Sequence, residues 1–286
     1  MNLRLLLKTF ISVCFISIYA CENKNSVPDD NEDNQYILES KTIYIKQVIE
    51  GVEYERSVII QTPNSIDNNR NYPLVFAFHG RGGSNTNWIN SLKSYTSSGQ
   101  FIGIYPQGFL ESWNLGKEPS KANDVAFVDM IFEELKNYDH INFDKAYAIG
   151  VSNGSGMVNK LGIETNHFKA IAPVVSQLIE SLPIQPNTRA LSVYQINGAA
   201  DDVIPIDGGP KFGHIFLEAG ESARLWAEKF NCDLNPDIQQ INGDTLTIYE
   251  NCDDDKEIRY LRVENGGHGL LNESIIEDIW TFFQRF

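Results

Sequence analysis

The sequence predicts an α/β fold: a mostly parallel central sheet with helices on both faces and an antiparallel hairpin at its N-terminal edge. Three observations carry this. Short, nearly continuous apolar runs recur through the middle of the chain, as they do in strands buried on both faces. Apolar faces of helical period alternate with those runs, the pattern of βαβ units. The 286 residues are enough for one sizeable core, and no internal repeat points to a solenoid.

The first twenty residues place Arg4 and Lys8 around the apolar stretch "FISVCFISIYA" and end at Ala20. This is the layout of an export signal, too short to span a bilayer as a mature helix. The run "IYAC" resembles a bacterial lipobox, so Cys21 is the expected lipidation site and the chain is expected at a membrane face or cell surface, or else soluble after export. Residues 21–40 are expected to form a disordered acidic tether, because "ENKNSVPDDNEDN" has no aromatic or aliphatic run to bury. An acidic stretch there resembles surface-display signals of outer-membrane lipoproteins. The catalytic domain is expected over residues 41–286.

Residues 41–61 alternate on either side of Glu50 and Gly51, which predicts the hairpin. The buried strands follow as "PLVFAF", "FIGIYP", "KAYAIG", "KAIAPVV" and "ALSVYQIN". Helical spacing appears at Val128, Ile131, Phe132 and Leu135, at Gly154, Met157, Val158 and Leu161, at Ala223, Trp226, Ala227 and Phe230, and at Ile276, Ile279, Trp280 and Phe283. Two further strands, "TLTIYENC" and "EIRYLRV", precede the last helix.

The balance of 23 basic and 38 acidic residues gives a net charge of -15. Such a surface repels phosphate backbones, which argues against nucleic acid as a partner and favours neutral or weakly anionic substrates. Of four cysteines, Cys14 leaves with the signal and Cys21 is the anchor. Cys232 and Cys252 remain in a chain bound for an oxidising compartment, where a disulfide is expected. No CxxC or HExxH cluster suggests a metal, and no cofactor is implied.

In "YAIGVSNGSG" the glycines at 150 and 154 flank Ser152 with the spacing G-x-S-x-G, just past one predicted strand and just before a helix. A sharp turn at that point exposes a serine hydroxyl above the sheet. A hydroxyl needs a base to take its proton and an acid to orient the base. The strand ending at Asn197 leads into "GAADDVIP", which offers Asp201 and Asp202 as the acid. The strand ending at Val263 leads into "ENGGHGL", which offers His268 as the base. His214 is a rival base, but its place before the last strands and the glycines around His268 favour His268. The oxyanion donors are expected to be the backbone N–H groups of Asn153 and of Arg81, the latter in the turn "HGRGG". His79 is read as a buried support of that turn.

At "HGRGG", "YPQG" with "SWN", "DVAFVDMI", "GVSNGSGM", "NGAADDVIP" and "GGH", in that order, the chain resembles the polyhydroxybutyrate depolymerase and carbohydrate esterase family of α/β-hydrolases, which includes feruloyl and acetylxylan esterases. The resemblance runs from about Tyr54 to the C-terminus. It implies an α/β-hydrolase fold with Ser152 as nucleophile, Asp201 rather than Asp202 as acid and His268 as base. A two-cysteine arrangement like that of Cys232 and Cys252 is common in the family.

The chain departs from its relatives at Asn197, where they often carry histidine, at Ser155, where they often carry glycine, and in "GHGLLNE", which lacks their Trp-Pro pair. These departures touch the substrate more than the catalytic set. Only residues 176–189 separate two predicted strands where lipases of this fold insert a lid, so no large lid is expected. Trp113 is the candidate wall of the resulting open cleft. The expected function is an exported serine carboxylesterase acting through an acyl-enzyme on feruloyl or acetyl esters of polysaccharide. The alternatives are a short-chain polyhydroxyalkanoate depolymerase or, in other classes, a serine peptidase or a non-catalytic binding protein.

Overall fold

The computed structural model describes residues 36–286. The signal segment, Cys21 and most of the expected tether lie outside the described residues. The end of that tether does not: residues 36–40 are docked on the domain. Leu38 is buried in the core, the Tyr36 N–H donates to the Asn137 carbonyl at 2.8 Å, and the Thr62 N–H donates to Ser40 Oγ at 2.9 Å. The tether expectation is corrected here, because Tyr36 and Leu38 supply the apolar surface that residues 22–34 lack.

The elements run β1 (Lys41–Ile49), β2 (Val52–Gln61), β3 (Tyr72–Phe78), α1 (Asn87–Ser91), α2 (Lys93–Ser97), β4 (Ile102–Pro106), α3 (Asp124–Leu135), β5 (Ile141–Val151), α4 (Asn153–Glu164), β6 (Ala170–Val174), β7 (Ser192–Gly198), β8 (Gly209–Lys211), β9 (His214–Phe216), α5 (Ala219–Lys229), β10 (Asp237–Ile241), β11 (Asp244–Tyr249), β12 (Ile258–Val263) and α6 (Glu273–Phe283). Ten strands form one sheet in the order β1-β2-β4-β3-β5-β6-β7-β12-β11-β10. The six central strands from β4 to β12 are parallel. The hairpin β1–β2 joins one edge antiparallel through β4, and β11 with β10 joins the other.

Alternation along the central strands feeds two cores. In β3, Leu74, Phe76 and Phe78 face a layer of α3, α4 and α5 residues that includes Val128, Leu161 and Trp226. Val75 and Ala77 face the opposite layer, where Trp88 of α1 and Ile279, Trp280 and Phe283 of α6 pack. Because both faces are covered, the strands show no polar side, which is why they read as continuous apolar runs.

The sequence does not announce β8, β9 and β10. β8 and β9, at three residues each, are too short for a period to be recognised, and β10 is exposed throughout and carries no buried one. β8 and β9 form a separate small hairpin after β7. Among the described residues, no helix is long and apolar enough to cross a membrane.

Arg56 and Asp124 form a buried ion pair. Arg56 of β2 donates to Asp124 Oδ1 at the start of α3 at 2.7 Å, to Gln47 Oε1 at 2.8 Å and to the Gln107 carbonyl at 3.0 Å. Its guanidinium lies 3.6 Å from the Phe127 ring centroid, and Asp124 Oδ2 accepts the Asn114 N–H at 2.7 Å. The hydrogen bonds on both partners offset the cost of taking the charges out of water.

Cys232 and Cys252 are joined by a disulfide that ties the end of α5 to the segment after β11. Both sulfurs are buried. On the chain-entropy account, closing this loop stabilises the fold by roughly 3 kcal/mol. Replacing both cysteines by serine is therefore expected to lower the unfolding free energy in urea by about that amount, and wild-type protein should show no free thiol at either position in a denaturing thiol titration.

Candidate active site

Ser152 sits between β5 and α4 with φ 55° and ψ -119°, a strained backbone for a residue with a side chain. The flanking glycines make this turn possible by letting backbones meet. A Cβ at Gly154 would lie 2.2 Å from the Phe78 carbonyl oxygen, and one at Gly150 would lie 2.2 Å from the Gly154 carbonyl oxygen. The Ser152 N–H donates to the Val174 carbonyl at 3.0 Å, so the neighbouring strand β6 holds the turn in place.

The loops after β7 and β12 are neighbours because those strands pair in parallel. The Ala200 N–H donates to the Gly266 carbonyl at 2.9 Å and locks the two loops together. Asp201 is buried; its Oδ1 accepts the N–H groups of Val203 and Ile204, each at 2.9 Å. Its Oδ2 lies 2.7 Å from His268 Nδ1, and His268 Nε2 lies 2.9 Å from Ser152 Oγ. An ionised Asp201 requires Nδ1 to carry the proton, which leaves the Nε2 lone pair facing the hydroxyl. Asp202 is exposed and points to no member of this line.

The N–H groups of Arg81 and Asn153 donate to no protein acceptor among the described residues. Both residues border the same cleft as Ser152. The turn that carries Arg81 is braced by His79, which is buried. His79 Nδ1 lies 2.8 Å from the Gly80 carbonyl, and its Nε2 accepts the Gly108 N–H at 3.0 Å. These partners require the neutral Nδ1–H tautomer. Burial favours the same state by lowering the pKa of His79, and it outweighs the opposing Gly80 carbonyl.

Trp113 does not form a wall of the cleft, contrary to the sequence expectation. It is fully buried because its ring packs edge-on against Phe78 and its Nε1–H finds an acceptor inside, the His79 carbonyl at 2.8 Å. Asn153 clasps the Trp113 backbone from the other side, accepting its N–H at 2.7 Å and donating to its carbonyl at 3.0 Å. Trp113 is thus a strut beneath the site.

The cleft has a volume of about 410 Å³ and apolar walls that include Leu115, Val151, Val203, Ile204, Phe212 and Phe216. The last two come from the unpredicted β8–β9 hairpin. A larger hollow of about 820 Å³ lies at the opposite ends of β6 and β7 and shares no residue with Ser152, Asp201 or His268, so it has no part in their chemistry. Among the described residues, no group of His, Cys, Asp and Glu is arranged to hold a metal ion.

Glu118 is the cleft residue that escaped the sequence reading. Glu118 is buried, and its Oε1 accepts from His214 Nε2 at 2.9 Å and from the Arg81 guanidinium at 3.2 Å. Its Oε2 accepts the N–H groups of Leu115 at 2.7 Å and Lys117 at 3.2 Å. His214, the rival base, is therefore committed to Glu118 and not to Ser152. Glu118 stands in a polar loop, which gave no signal in the sequence.

Fold and site define a serine hydrolase of the α/β-hydrolase fold. No family model matches the chain. Among curated proteins it is similar to feruloyl esterase B of Piromyces equi, 24% identical over 81% of this chain, although it spans only 45% of that protein's length. It is also similar to a probable feruloyl esterase C of Aspergillus niger, 28% identical over 82% of this chain and 84% of the relative. Among solved structures, acetyl xylan esterase from Aspergillus awamori superimposes with a TM-score of 0.58 over 85% of this chain and 99% of that one, at 14% identity. The chain is similar in sequence to the feruloyl esterases.

Burial acts to raise the pKa of Glu118, but the His214 and backbone hydrogen bonds outweigh it and hold the carboxyl below its ordinary 4.5. A group depressed in this way stabilises the fold fully above its unfolded pKa and loses that contribution as pH falls through its folded pKa. The stability difference between wild type and Glu118→Gln, measured by urea unfolding, is thus expected to be constant above about pH 5.5 and to shrink below about pH 4.5.

Proposed function

We propose that the protein is an exported esterase that hydrolyses feruloyl or acetyl esters on polysaccharide through an acyl-enzyme intermediate. The observation that carries the reading is the unbroken hydrogen-bonded line from Asp201 through His268 to Ser152 Oγ on an apolar cleft. Ser152 attacks the ester carbonyl while His268 Nε2 takes its proton and Asp201 stabilises the resulting imidazolium. The oxyanion forms against the N–H groups of Arg81 and Asn153. Collapse expels the alcohol, which receives the proton from His268. Water then gives a proton to His268, attacks the acyl group and releases the acid, restoring Ser152.

The names of the relatives support a feruloyl or acetyl ester, and the cleft supports the aromatic acid. About 410 Å³ with walls of Leu115, Ile204 and Phe216 suits an aryl group held by apolar contact and leaves an acetyl group with little to touch. Among the described residues the β8–β9 hairpin is the added cover, and the mouth admits an ester carried on a polymer. Export and acylation of Cys21 belong to the same proposal and rest on the sequence of residues 1–21.

Ser152→Ala and Asp201→Asn are each expected to lower kcat by about 10⁴-fold on methyl ferulate, with Asp202→Ala unchanged and a fluorophosphonate labelling the wild type and Asp202→Ala but not Ser152→Ala. Parallel assays on methyl ferulate, acetylated xylan, a hydroxybutyrate oligomer and a peptide amide decide the substrate; turnover of the amide without the esters would refute the esterase reading. Mass spectrometry of the mature N-terminal peptide should find an acyl increment on Cys21, and an unmodified cysteine there removes the anchor from the proposal.

A further inference from the structure

Glu118 joins three elements that border the cleft. Its own loop supplies two backbone donors, the oxyanion turn supplies the Arg81 guanidinium, and the β8–β9 hairpin supplies the His214 ring. The carboxylate is 1% exposed and the His214 side chain 2%, so neither acts as a surface charge. The four donors cover both oxygens of Glu118 and require it to be the anion. His214 must then present Nε2–H to Oε1.

The hairpin is fastened differently along its other flank. There the Glu180 N–H donates to the Ile215 carbonyl at 2.9 Å, and the Leu217 N–H donates to the Leu178 carbonyl at 2.9 Å. Those bonds fix the hairpin to the segment after β6 and leave its approach to the oxyanion turn to be set by side chains. Two contacts span that approach: His214 on Glu118, and the Arg81 guanidinium 5.4 Å from the Phe212 ring centroid. Phe212, His214 and Phe216 all face the cleft, so the position of the hairpin decides how wide the cleft is.

The network has a built-in cost. His214 Nδ1 is buried without a partner, an arrangement that costs stability wherever it occurs. A leucine or phenylalanine at this position would pack without that penalty. A histidine that leaves one nitrogen unsatisfied while the other reaches a buried carboxylate is explained by what the second contact holds in place.

We propose that Glu118 and His214 are positioning residues that brace the β8–β9 hairpin against the oxyanion turn, so that the pair sets acyl-group preference and, through Arg81, the placement of one oxyanion donor. This deepens the esterase reading and rests on it. Neither residue touches the reacting atoms. His214 acts by placing Phe212 and Phe216 against the acyl group. Glu118 acts on that wall and also on the turn that carries the Arg81 N–H.

The test compares p-nitrophenyl ferulate with p-nitrophenyl acetate, which share a leaving group and differ only in the acyl part. His214→Leu should raise KM for the ferulate at least about tenfold while leaving the acetate nearly unchanged. His214→Gln, which keeps an N–H directed at Glu118, should recover most of the ferulate KM. Glu118→Gln should lower kcat for both esters roughly tenfold, because the turn is released along with the wall. Arg81→Ala, at a half-exposed side chain that keeps its backbone N–H, should lower kcat for both without altering the preference between them, and it remains informative where a buried variant fails to fold. Equal effects of His214→Leu on the two esters, or a glutamine variant no better than leucine, would overturn the brace. An unchanged kcat in both Glu118→Gln and Arg81→Ala would overturn the link to the turn. Failure of the wild type to cleave either ester, or to be labelled at Ser152, would instead sink the esterase reading itself.

Discussion

The site depends on a close approach of backbones at the end of the sheet. β3 and β5 are adjacent and parallel, and the first turn of α4 must pass within contact distance of the end of β3 for a serine to stand upright between them. Gly154 meets the Phe78 and His79 carbonyls there with no room for a methyl group. The left-handed backbone of Ser152 costs about 1–3 kcal/mol, held in place by hydrogen bonding to β6 and by the burial of α4 between sheet and solvent. Because the serine cannot relax, the Asp201 and His268 loops need only be brought to a fixed point, and the parallel pair β7 and β12 does that.

A second layer of buried polar contacts explains why separated motifs occur together in one chain. The "SWN" segment is clasped by Asn153, which also supplies an N–H to the cleft; Trp113 in turn holds the His79 carbonyl, and His79 reaches Gly108 in "YPQG". Each motif is one side of the same scaffold under the turn that carries Arg81. Gln107 extends it, its carbonyl accepting from Arg56 and its side-chain carbonyl accepting the Asn85 N–H. Deleting any one side leaves a buried donor or acceptor unpaired, and such groups are expensive in a dry interior.

How much of this was legible follows from how local each signal is. The central strands and the helices α3 to α6 could be read because both faces of the sheet are covered and each of these helices carries apolar residues at helical spacing, whereas α1 and α2, five residues each, are too short to show it. Ser152 and His268 could be read because glycines flank them at the ends of recognisable strands. Asp201 could not be separated from Asp202 by residue type, since what distinguishes it is the pair of N–H groups from Val203 and Ile204. The fate of Trp113 was hidden because it depends on one carbonyl, that of His79, distant in sequence. Glu118 was hidden for the same reason: in "LGKEPSK" it looks like a solvated loop residue, and only the fold brings Arg81 and His214 to it. The hairpin that walls the cleft is too short to show any period, so the shape of the cleft was the least legible part.

The buried pair of Arg56 and Asp124 gives the N-terminal hairpin a duty beyond closing the edge of the sheet. Asp124 begins the helix that follows the "SWN" loop, and its cation comes from β2, far upstream. A shortened chain that began after β2 would retain every group in the Ser152, Asp201 and His268 line, yet would leave the Asp124 carboxylate in the interior without its hydrogen-bonded cation. The unit that supports the Ser152, Asp201 and His268 line therefore starts well before those residues, and β2 travels with it for an electrostatic reason.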